Sequence, residues 1–273
     1  MSITATRIIS HTVAAAETAT ACELLATRSG FSKGKIKDAM NKGAVWLVPP
    51  TGSMKRLRRA TATLNAGEKI ELRYNEEVLA KQVPASALVA DEHHYSVWFK
   101  PAGVLAQGTM EGDHCALLRQ VELYFKMARP VFLVHRLDRE ASGLMLVAHS
   151  QNAAARLSAL FQNNAVYKRY WVQVRGQLTS ASGVIDTPLD GKAAHTEYTV
   201  ESYDAASDMS ILSVVIDTGR LHQIRRHLDG INHPVIGDPK YGSGNKSPAG
   251  LQLNAVQLRF RCPFTDKEMD FSV

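Results

Sequence analysis

The sequence has few cysteines and no long apolar run, and both absences narrow the class of protein. Three cysteines, Cys22, Cys115 and Cys262, are spread over 273 residues. An odd number of widely spaced cysteines is typical of free thiols in a reducing compartment, so we expect a cytoplasmic protein. No apolar segment approaches the roughly 20 residues of a membrane span, and residues 1–25 lack the compact apolar core of a secretory signal. We therefore expect neither a membrane protein nor a secreted one.

The sequence also lacks the cysteine pairs that usually accompany histidine in metal sites. It contains ten histidines, and two of them, His222 and His227, lie five residues apart. A spacing of five residues places their side chains on different faces of a helix. We therefore expect no bound metal ion.

The positive charge is concentrated near the amino terminus. Residues 1–80 carry twelve Lys and Arg against seven Asp and Glu, which is +5 of the net charge of +6. Between residues 28 and 59, nine basic residues face the single acid Asp38. A basic cluster on a small module indicates contact with phosphates, although a solvated surface is the alternative. The predicted RNA contacts are Arg28, Lys33, Lys35, Lys37, Arg56, Arg58 and Arg59.

A polar octet at residues 135–142 separates two short apolar runs, VFLV and GLMLV. Such runs predict buried strands, so the octet is a connection held at their ends. Asp138 then occupies a fixed position, with Arg136 two residues before it. A solvated hairpin with an Asp–Arg pair is the alternative.

A second charged segment follows the β-type run at residues 210–217. Its pattern predicts a helix from Arg220 to about Asp229, closed by Gly230, with Leu221, Ile224 and Leu228 forming an apolar stripe. Arg225 lies on the margin of this stripe. A guanidinium at the edge of a buried face is costly unless a carboxylate meets it, so we hypothesise a pair with Asp138. Alternatively, Arg225 extends along its aliphatic stem to water.

These segments resemble motifs of the ribosomal large-subunit pseudouridine synthase family, which isomerises uridine in RNA. Five motifs occur in the family's order between about residues 87 and 273, and together they are highly specific. They are KPAG (100–103), HRLDREASG (135–143), KRYWVQVRG (168–176), TEY (196–198), and GRLHQIRRHL followed by HPVIGDPKYG (219–228 and 233–242).

The resemblance implies roles for individual residues. Asp138 aligns with the catalytic aspartate, Tyr170 with the tyrosine that packs against the flipped uracil, and Arg225 with the arginine that pairs with the aspartate. Arg136 aligns with an arginine that helps to fill the space left by the extruded base. Three residues of the later motif, Arg220, His222 and Gln223, are predicted to bind substrate. Isomerisation requires no redox step and no energy input, so we expect no cofactor.

Three positions depart from the family pattern. Ala141 replaces a threonine, Asn254 a histidine and Arg226 a usually apolar residue. These departures bear on the substrate subclass, because none of them replaces a residue with an implied catalytic role.

The mixture of strands and helices lacks a regular βαβ repeat, which predicts an α+β fold with a mixed, mainly antiparallel sheet and flanking helices. We expect two domains, residues 1–80 and 81–273, with a linker at 75–86. The first resembles the ribosomal-protein S-four-type RNA-binding domain, with a Ser32-capped helix to about Asn41 and a strand at 44–48.

The sequence therefore predicts a monomeric RNA pseudouridine synthase whose partner is ribosomal RNA of the large subunit, with transfer RNA as the alternative target. Two other functions stay open. A non-catalytic RNA-binding protein would use the basic module alone, and a nucleosidase-like hydrolase would use Asp138 to release free uracil. The presence of Tyr170 and Arg225 favours the synthase.

Overall fold

The computed structural model describes residues 5–273, which form two compact units. Unit 1 consists of the chain up to Val83 together with Gln107–Gln120. Unit 2 consists of Pro84–Ala106 and Val121–Val273. The predicted domains of 1–80 and 81–273 assign Gln107–Gln120 to the second half, whereas its contacts lie with the first.

Unit 1 contains a four-stranded antiparallel sheet in the order β1-β4-β2-β3, with helices packed against it. The elements are β1 (Arg7–Thr12), α1 (Ala21–Ser29), α2 (Lys33–Asn41), β2 (Val45–Val48), β3 (Lys55–Arg56), β4 (Lys69–Tyr74) and α3 (Glu76–Ala80). Leu25, Ile36, Met40, Ile70 and Leu72 are fully buried and form the centre of its core.

Local capping explains where the helices of unit 1 begin. Thr20 and Glu23 form a reciprocal capping box at α1, and Gly30 ends that helix in the left-handed conformation. Ser32 caps α2, which runs to Asn41 as predicted. The predicted linker at 75–86 is different, because the Asn75 side chain accepts a hydrogen bond from the Val78 amide and starts the short helix α3.

The segment Gln107–Gln120 is held in unit 1 by polar contacts. The Trp46 indole donates a hydrogen bond of 2.7 Å to the Met110 carbonyl, and the Asp113 amide donates one of 2.9 Å to the Lys42 carbonyl. The Asp113 carboxylate also forms ion pairs with Arg56 and Arg58. These two arginines therefore contribute to the internal structure of unit 1.

Unit 2 is built on a ten-stranded mixed sheet with the central order β10-β11-β12-β9-β13-β8-β6-β5; β14 pairs with β13 and β7 with β8. Its strands are β5 (Ala87–Asp91), β6 (Tyr95–Lys100), β7 (Phe132–Leu133), β8 (Ser142–Ala148), β9 (Val166–Arg175), β10 (Ser182–Ile185), β11 (Thr196–Asp204), β12 (Met209–Ile216), β13 (Leu253–Arg261) and β14 (Glu268–Ser272). Its helices are α5 (Gln151–Gln162) and α6 (Gln223–Gly230), and α4 (Leu117–Tyr124) has its first four residues in unit 1 and its last four in unit 2. Among the strand pairs of residues 5–273, β13 with β8 is parallel and the others are antiparallel, so the predicted α+β fold is confirmed.

Strand patterning in unit 2 follows burial. Along β9 and β12, buried and partly exposed residues alternate, as expected for strands with one face against the core. In β8, residues 143–148 are all buried, which explains its continuous apolar run. Leu144, Leu146 and Phe260 of the sheet share a core with Leu157 of α5.

Helix α6 begins at Gln223, three residues later than predicted. His222 precedes it with φ 54°, in the left-handed region, which interrupts helical geometry there. Leu221 consequently lies outside the helix and is 56% exposed, so its predicted place in the apolar stripe is wrong. Ile224 and Leu228 are buried as predicted.

Candidate active site

Asp138 lies on the loop between β7 and β8. These strands pair in antiparallel register at Leu133 and Val147, which fixes both ends of the loop. Within it, Leu137 and Ala141 are buried, and the Ala141 amide donates a hydrogen bond of 3.2 Å to the Asp138 carbonyl. Asp138 is therefore held on a packed turn, with its side chain 16% exposed.

Lys100 fixes this loop through hydrogen bonds to backbone carbonyls. Its fully buried ammonium donates hydrogen bonds to the carbonyls of Ala141 (2.6 Å), Val104 (2.8 Å) and, at longer range, Pro101 and Arg139. Burial lowers the pKa of Lys100 to about 8, although the negative charge of Asp138 acts in the opposite direction. Lys100 thus joins the turn after β6 to the loop that carries Asp138.

The parallel junction of β8 and β13 brings a third strand to the site. Gly143 pairs with Ala255 and has φ 121°, and a side chain there would place its Cβ 2.4 Å from the Ala255 backbone nitrogen. Only glycine allows this approach. Ala255 in turn pairs with Tyr170 of β9. Tyr170 is therefore brought to the same junction as the Asp138 loop.

A cavity of about 250 Å³ opens at this junction. Its walls come from the Asp138 loop, β9, β12, the start of α6 and β13. The lining residues are Arg136, Leu137, Asp138, Ala141, Tyr170, Ile216, Gly219, Arg220, Leu221, His222, Gln223, Ile224, Arg225 and Leu253. Every predicted catalytic and substrate-binding residue thus lines one cavity.

Arg225 is the charged centre of the cavity wall. It is 2% exposed, deeper than the half-buried position that its spacing predicts. Its Nη1 donates to Asp138 Oδ2 at 2.8 Å, so the predicted pair with Asp138 is present. Its Nε and Nη2 donate to both oxygens of Asp238, at 2.6 and 2.7 Å. Burial opposes the charge, but the two carboxylates raise the pKa of Arg225 and keep it protonated.

Asp238 is a site residue that the sequence alone did not reveal. It is fully buried, and although burial opposes its charge, the hydrogen bonds from Arg225 lower its pKa. The signal was the GDPKYG segment, which matches a family motif but carries no periodicity that assigns a partner to its aspartate.

The start of α6 and the loop before it carry two polar residues of the predicted site. Gln223 is buried, and its side-chain amide binds other groups of the protein: Oε1 accepts from the Thr218 hydroxyl and the Arg220 amide, and Nε2 donates to the His195 carbonyl and Thr196. These hydrogen bonds hold the loop to the helix, and the predicted contact of Gln223 with substrate stays a prediction. The partly exposed Arg220 uses its Nε to bind the Ala193 carbonyl at 2.9 Å.

His222 lies between the Asp138 loop and a neighbouring aromatic ring. Its Nε2 lies 3.8 Å from Asp138 Oδ1, and its Nδ1 lies 3.0 Å from the Tyr241 hydroxyl. Burial lowers the pKa of His222, while Asp138 acts in the opposite direction. The dominant effect favours a neutral imidazole beside Asp138.

Tyr170 contributes an aromatic side chain that is 9% exposed. Burial raises the pKa of its phenol, and the negative charge of Asp138 raises it further. The hydroxyl is therefore protonated at neutral pH, and the ring forms an uncharged side of the cavity.

The predicted RNA contacts of unit 1 fall into two groups. Arg28, Lys37 and Arg59 are exposed, and Arg59 donates a hydrogen bond to the Thr61 hydroxyl. The others have charged or aromatic partners: the exposed Lys33 pairs with Glu23, Lys35 lies over the rings of Phe31 and Tyr74, and Arg56 and Arg58 bind Asp113. The cluster therefore contains cations of both kinds.

Comparison with known proteins identifies the family of this chain. A sequence model of the family described as RNA pseudouridylate synthase matches residues 94–229. An RNA pseudouridine synthase of Mycoplasma pneumoniae is 30% identical over 274 residues, covering 90% of this chain and 86% of that protein. The ribosomal large subunit pseudouridine synthase C of Vibrio parahaemolyticus is 27% identical, covering 89% and 87%. The structure of human RNA pseudouridylate synthase domain containing 4 is 25% identical with a TM-score of 0.58, covering 68% and 87%.

The chain therefore belongs to the RNA pseudouridine synthase family, and it is an isomerase that converts uridine in RNA to pseudouridine. The predicted family, fold class and type of enzyme are confirmed.

Within residues 5–273, no group of three or more His, Cys, Asp or Glu side chains is arranged to hold a metal ion. In that same part of the chain, no helix has the length and apolarity needed to cross a membrane. The three cysteines are free and buried.

Proposed function

We propose that this enzyme isomerises uridine in large-subunit ribosomal RNA, with Asp138 as the reacting carboxylate. The observation that carries the proposal is the hydrogen bond from the buried Arg225 to Asp138 at the wall of a cavity that Tyr170 also lines. The cavity has the volume of several water molecules, which suits a single pyrimidine ring. Because a stacked base cannot reach such a cavity, the target nucleotide is flipped out of its helix.

The reaction requires one bond to break and another to form on the same ribose carbon. The N1–C1′ bond breaks, the uracil turns, C5 bonds to C1′, and the proton that leaves C5 is balanced by protonation of N1. Asp138 can act in two ways. It attacks C1′ to form an ester, which breaks when C5 bonds to C1′, or it removes the proton at C2′ and returns it when C5 bonds to C1′. In either route its negative charge is consumed at the sugar, and Arg225 donates a charge-assisted hydrogen bond to the resting carboxylate.

The other residues of the cavity have roles that follow from their positions. The Tyr170 ring packs against the detached uracil and limits its rotation to the cavity. Arg136, exposed at the cavity edge, fills the space that the flipped nucleotide leaves in the RNA. Arg220 and His222 line the same cavity and contact the nucleotide.

The target is inferred from a relative and from charge. The synthase C of Vibrio parahaemolyticus, named for the ribosomal large subunit, aligns along 89% of this chain. Residues 1–80 carry most of the net positive charge, and we propose that unit 1 is an S-four-type module that binds RNA phosphates. We also propose that the enzyme is a monomer and that it acts in the cytoplasm, a reducing compartment in which its free cysteines stay reduced.

Pseudouridine mapping across total RNA tests the target. RNA from cells with and without the gene is compared, and the missing modification is restored by purified enzyme acting on unmodified RNA. We expect one or more pseudouridines to disappear from large-subunit ribosomal RNA. Loss confined to transfer RNA would assign the alternative target, and release of free uracil in vitro would indicate hydrolysis.

Two substitutions at Tyr170 separate the ring from the hydroxyl. Tyr170→Phe keeps the aromatic face and is expected to retain much of the turnover, whereas Tyr170→Leu loses the stacking surface, an effect of about 1–3 kcal/mol for aromatic contact with a base. Single-turnover rates of both variants are the measurement. Equal losses in Phe and Leu would show that the hydroxyl is the essential group.

The exposed cations of unit 1 allow a test of RNA binding that leaves its internal ion pairs intact. Replacing Arg28, Lys37 and Arg59 by glutamine is expected to weaken RNA binding and to reduce the slope of log affinity against log salt by about 2–3. The matched control replaces the exposed Lys126, Arg156 and Lys267 of unit 2, which removes the same charge. Identical slopes for the two triple variants would mean that the cluster is only a solvated surface.

A further inference from the structure

Asp238 is the buried counter-ion of Arg225, and it accepts more hydrogen bonds from this arginine than Asp138 does. Both of its carboxylate oxygens accept from Arg225, at 2.6 and 2.7 Å, whereas Asp138 receives a single hydrogen bond of 2.8 Å. Its side chain is 0% exposed against 16% for Asp138. A two-bond Arg–carboxylate pair fixes orientation as well as charge. The charges of Arg225 and Asp238 therefore cancel within the cavity wall. Asp138 adds a further negative charge, which faces the cavity.

The backbone holds Asp238 independently of Arg225. Its Oδ1 accepts from the amides of Lys240 (2.8 Å) and Tyr241 (3.0 Å), and its carbonyl accepts from Lys246 Nζ at 2.6 Å. The preceding residue, Gly237, has φ 73°, and a Cβ there would lie 1.8 Å from the carbonyl oxygen of Gly250. The loop thus has little freedom to move the carboxylate.

The same loop also reaches the other side of Asp138. The amide of Tyr241 donates to Asp238, and its hydroxyl shares a hydrogen bond with the His222 ring. The Arg225 guanidinium carbon lies 5.3 Å from the centroid of the Tyr241 ring. One short segment therefore orients both groups that face Asp138, Arg225 in α6 and His222 directly before it.

We propose that Asp238 is a positioning residue for the isomerisation: it fixes the Arg225 guanidinium so that one N–H points at Asp138 throughout the reaction. This inference rests on the proposed role of Asp138. When that carboxylate forms a bond to C1′ or takes up a proton, it loses its negative charge. Because Asp238 still neutralises Arg225, the buried guanidinium does not become an uncompensated charge and has no electrostatic reason to move.

The test compares Asp238→Asn with Asp190→Asn in the full-length protein. Asp190 also forms a two-bond pair with an arginine, through Nη1 and Nη2 of Arg226, the next residue of α6, but its side chain is 67% exposed. Single-turnover rates are measured with enzyme in saturating excess over RNA, so that a smaller active fraction does not lower the rate constant. We expect the rate constant of Asp238→Asn to fall by about 10-fold or more, toward the 10²-fold effect of a misplaced reacting group. We expect Asp190→Asn to remain within about twofold, and the RNA concentration dependence to be similar in both.

Thermal unfolding of the variants, measured beside the rates, separates a positioning role of Asp238 from a purely structural one. We expect Asp238→Asn to melt well below Asp138→Asn, because only the former removes the principal counter-ion of Arg225. An unchanged rate constant with reduced amplitude would overturn the positioning role in favour of a structural one. If Asp238→Asn does not fold, Asp238→Glu keeps the charge but displaces the guanidinium, and a wild-type rate constant in that variant would also overturn the inference. Full turnover by Asp138→Asn would instead refute the proposed function, while the order of melting temperatures would still test the counter-ion of Arg225.

Discussion

Asp138→Asn is expected to abolish isomerisation while leaving the protein folded. Removal of a general base costs about 10²–10⁴-fold in rate, and loss of a nucleophile costs at least as much. The fold persists because Arg225 keeps both hydrogen bonds to Asp238, and the asparagine oxygen can still accept the bond from Nη1. We expect the free energy of unfolding to change by only about 1 kcal/mol. Pseudouridine formation under single-turnover conditions and thermal unfolding are the two measurements.

Glu140→Gln is the matched control, because it removes one carboxylate from the same loop. Glu140 pairs with Arg139 and does not line the cavity. Its replacement is expected to leave turnover within a few-fold of the wild-type enzyme. Near-normal activity of Asp138→Asn, or an equal loss in both variants, would contradict the assignment of Asp138 as the reacting carboxylate.

The sequence was most informative where local pattern and chemistry coincide. Short apolar runs on either side of a charged octet predicted a loop between strands, and Asp138 lies on that loop. The partner of Asp138 could be predicted because an arginine at the edge of a helical stripe requires a carboxylate. That physical requirement and the family motif pointed to the same pair, and the hydrogen bond of 2.8 Å is present.

The parts of the site that were missed depend on tertiary contacts without a local signature. Lys100 binds backbone carbonyls up to 41 residues away, and a carbonyl acceptor leaves no trace in the sequence. Asp238 belongs to an irregular loop, where hydrophobic periodicity gives no information about burial. Leu221 was placed on the helix because the left-handed conformation of His222, a non-glycine residue, could not be anticipated from its neighbours.

In the basic cluster, too, tertiary contacts could not be predicted from the local sequence. Nine cations near one acid indicated an open, positively charged face, but the acid that binds Arg56 and Arg58 is Asp113, more than fifty residues away in sequence. The segment that carries Asp113 packs in unit 1. A fragment of residues 81–273 would therefore contain Gln107–Gln120 without the groups that hold it, and the three exposed cations are a safer target than truncation.

Arg225→Met is expected to have the largest effect on stability, because it leaves Asp238 buried without a counter-ion. Breaking a buried pair by removing one partner costs about 3–5 kcal/mol of unfolding free energy. Turnover is expected to be lost as well, since Asp138 loses its hydrogen bond from Nη1. Arg226→Met is the control one residue along α6, where the exposed partner Asp190 returns to water. We expect that control to melt close to the wild-type protein.

The pH dependence of stability tests whether Asp238 is the carboxylate that loses its counter-ion in Arg225→Met. In the wild-type protein the pKa of Asp238 is lowered, so its contribution is present above the unfolded pKa of about 3.9 and is lost as pH falls through the folded value. In Arg225→Met, burial without a cation raises that pKa. The folded variant then binds a proton that the unfolded chain does not, and its stability relative to wild type increases as pH falls from neutrality toward about 5. Adding Asp238→Asn to Arg225→Met should remove this pH dependence and recover part of the lost stability. A double variant less stable than Arg225→Met, with the pH dependence unchanged, would mean that Asp238 is not the principal counter-ion of Arg225.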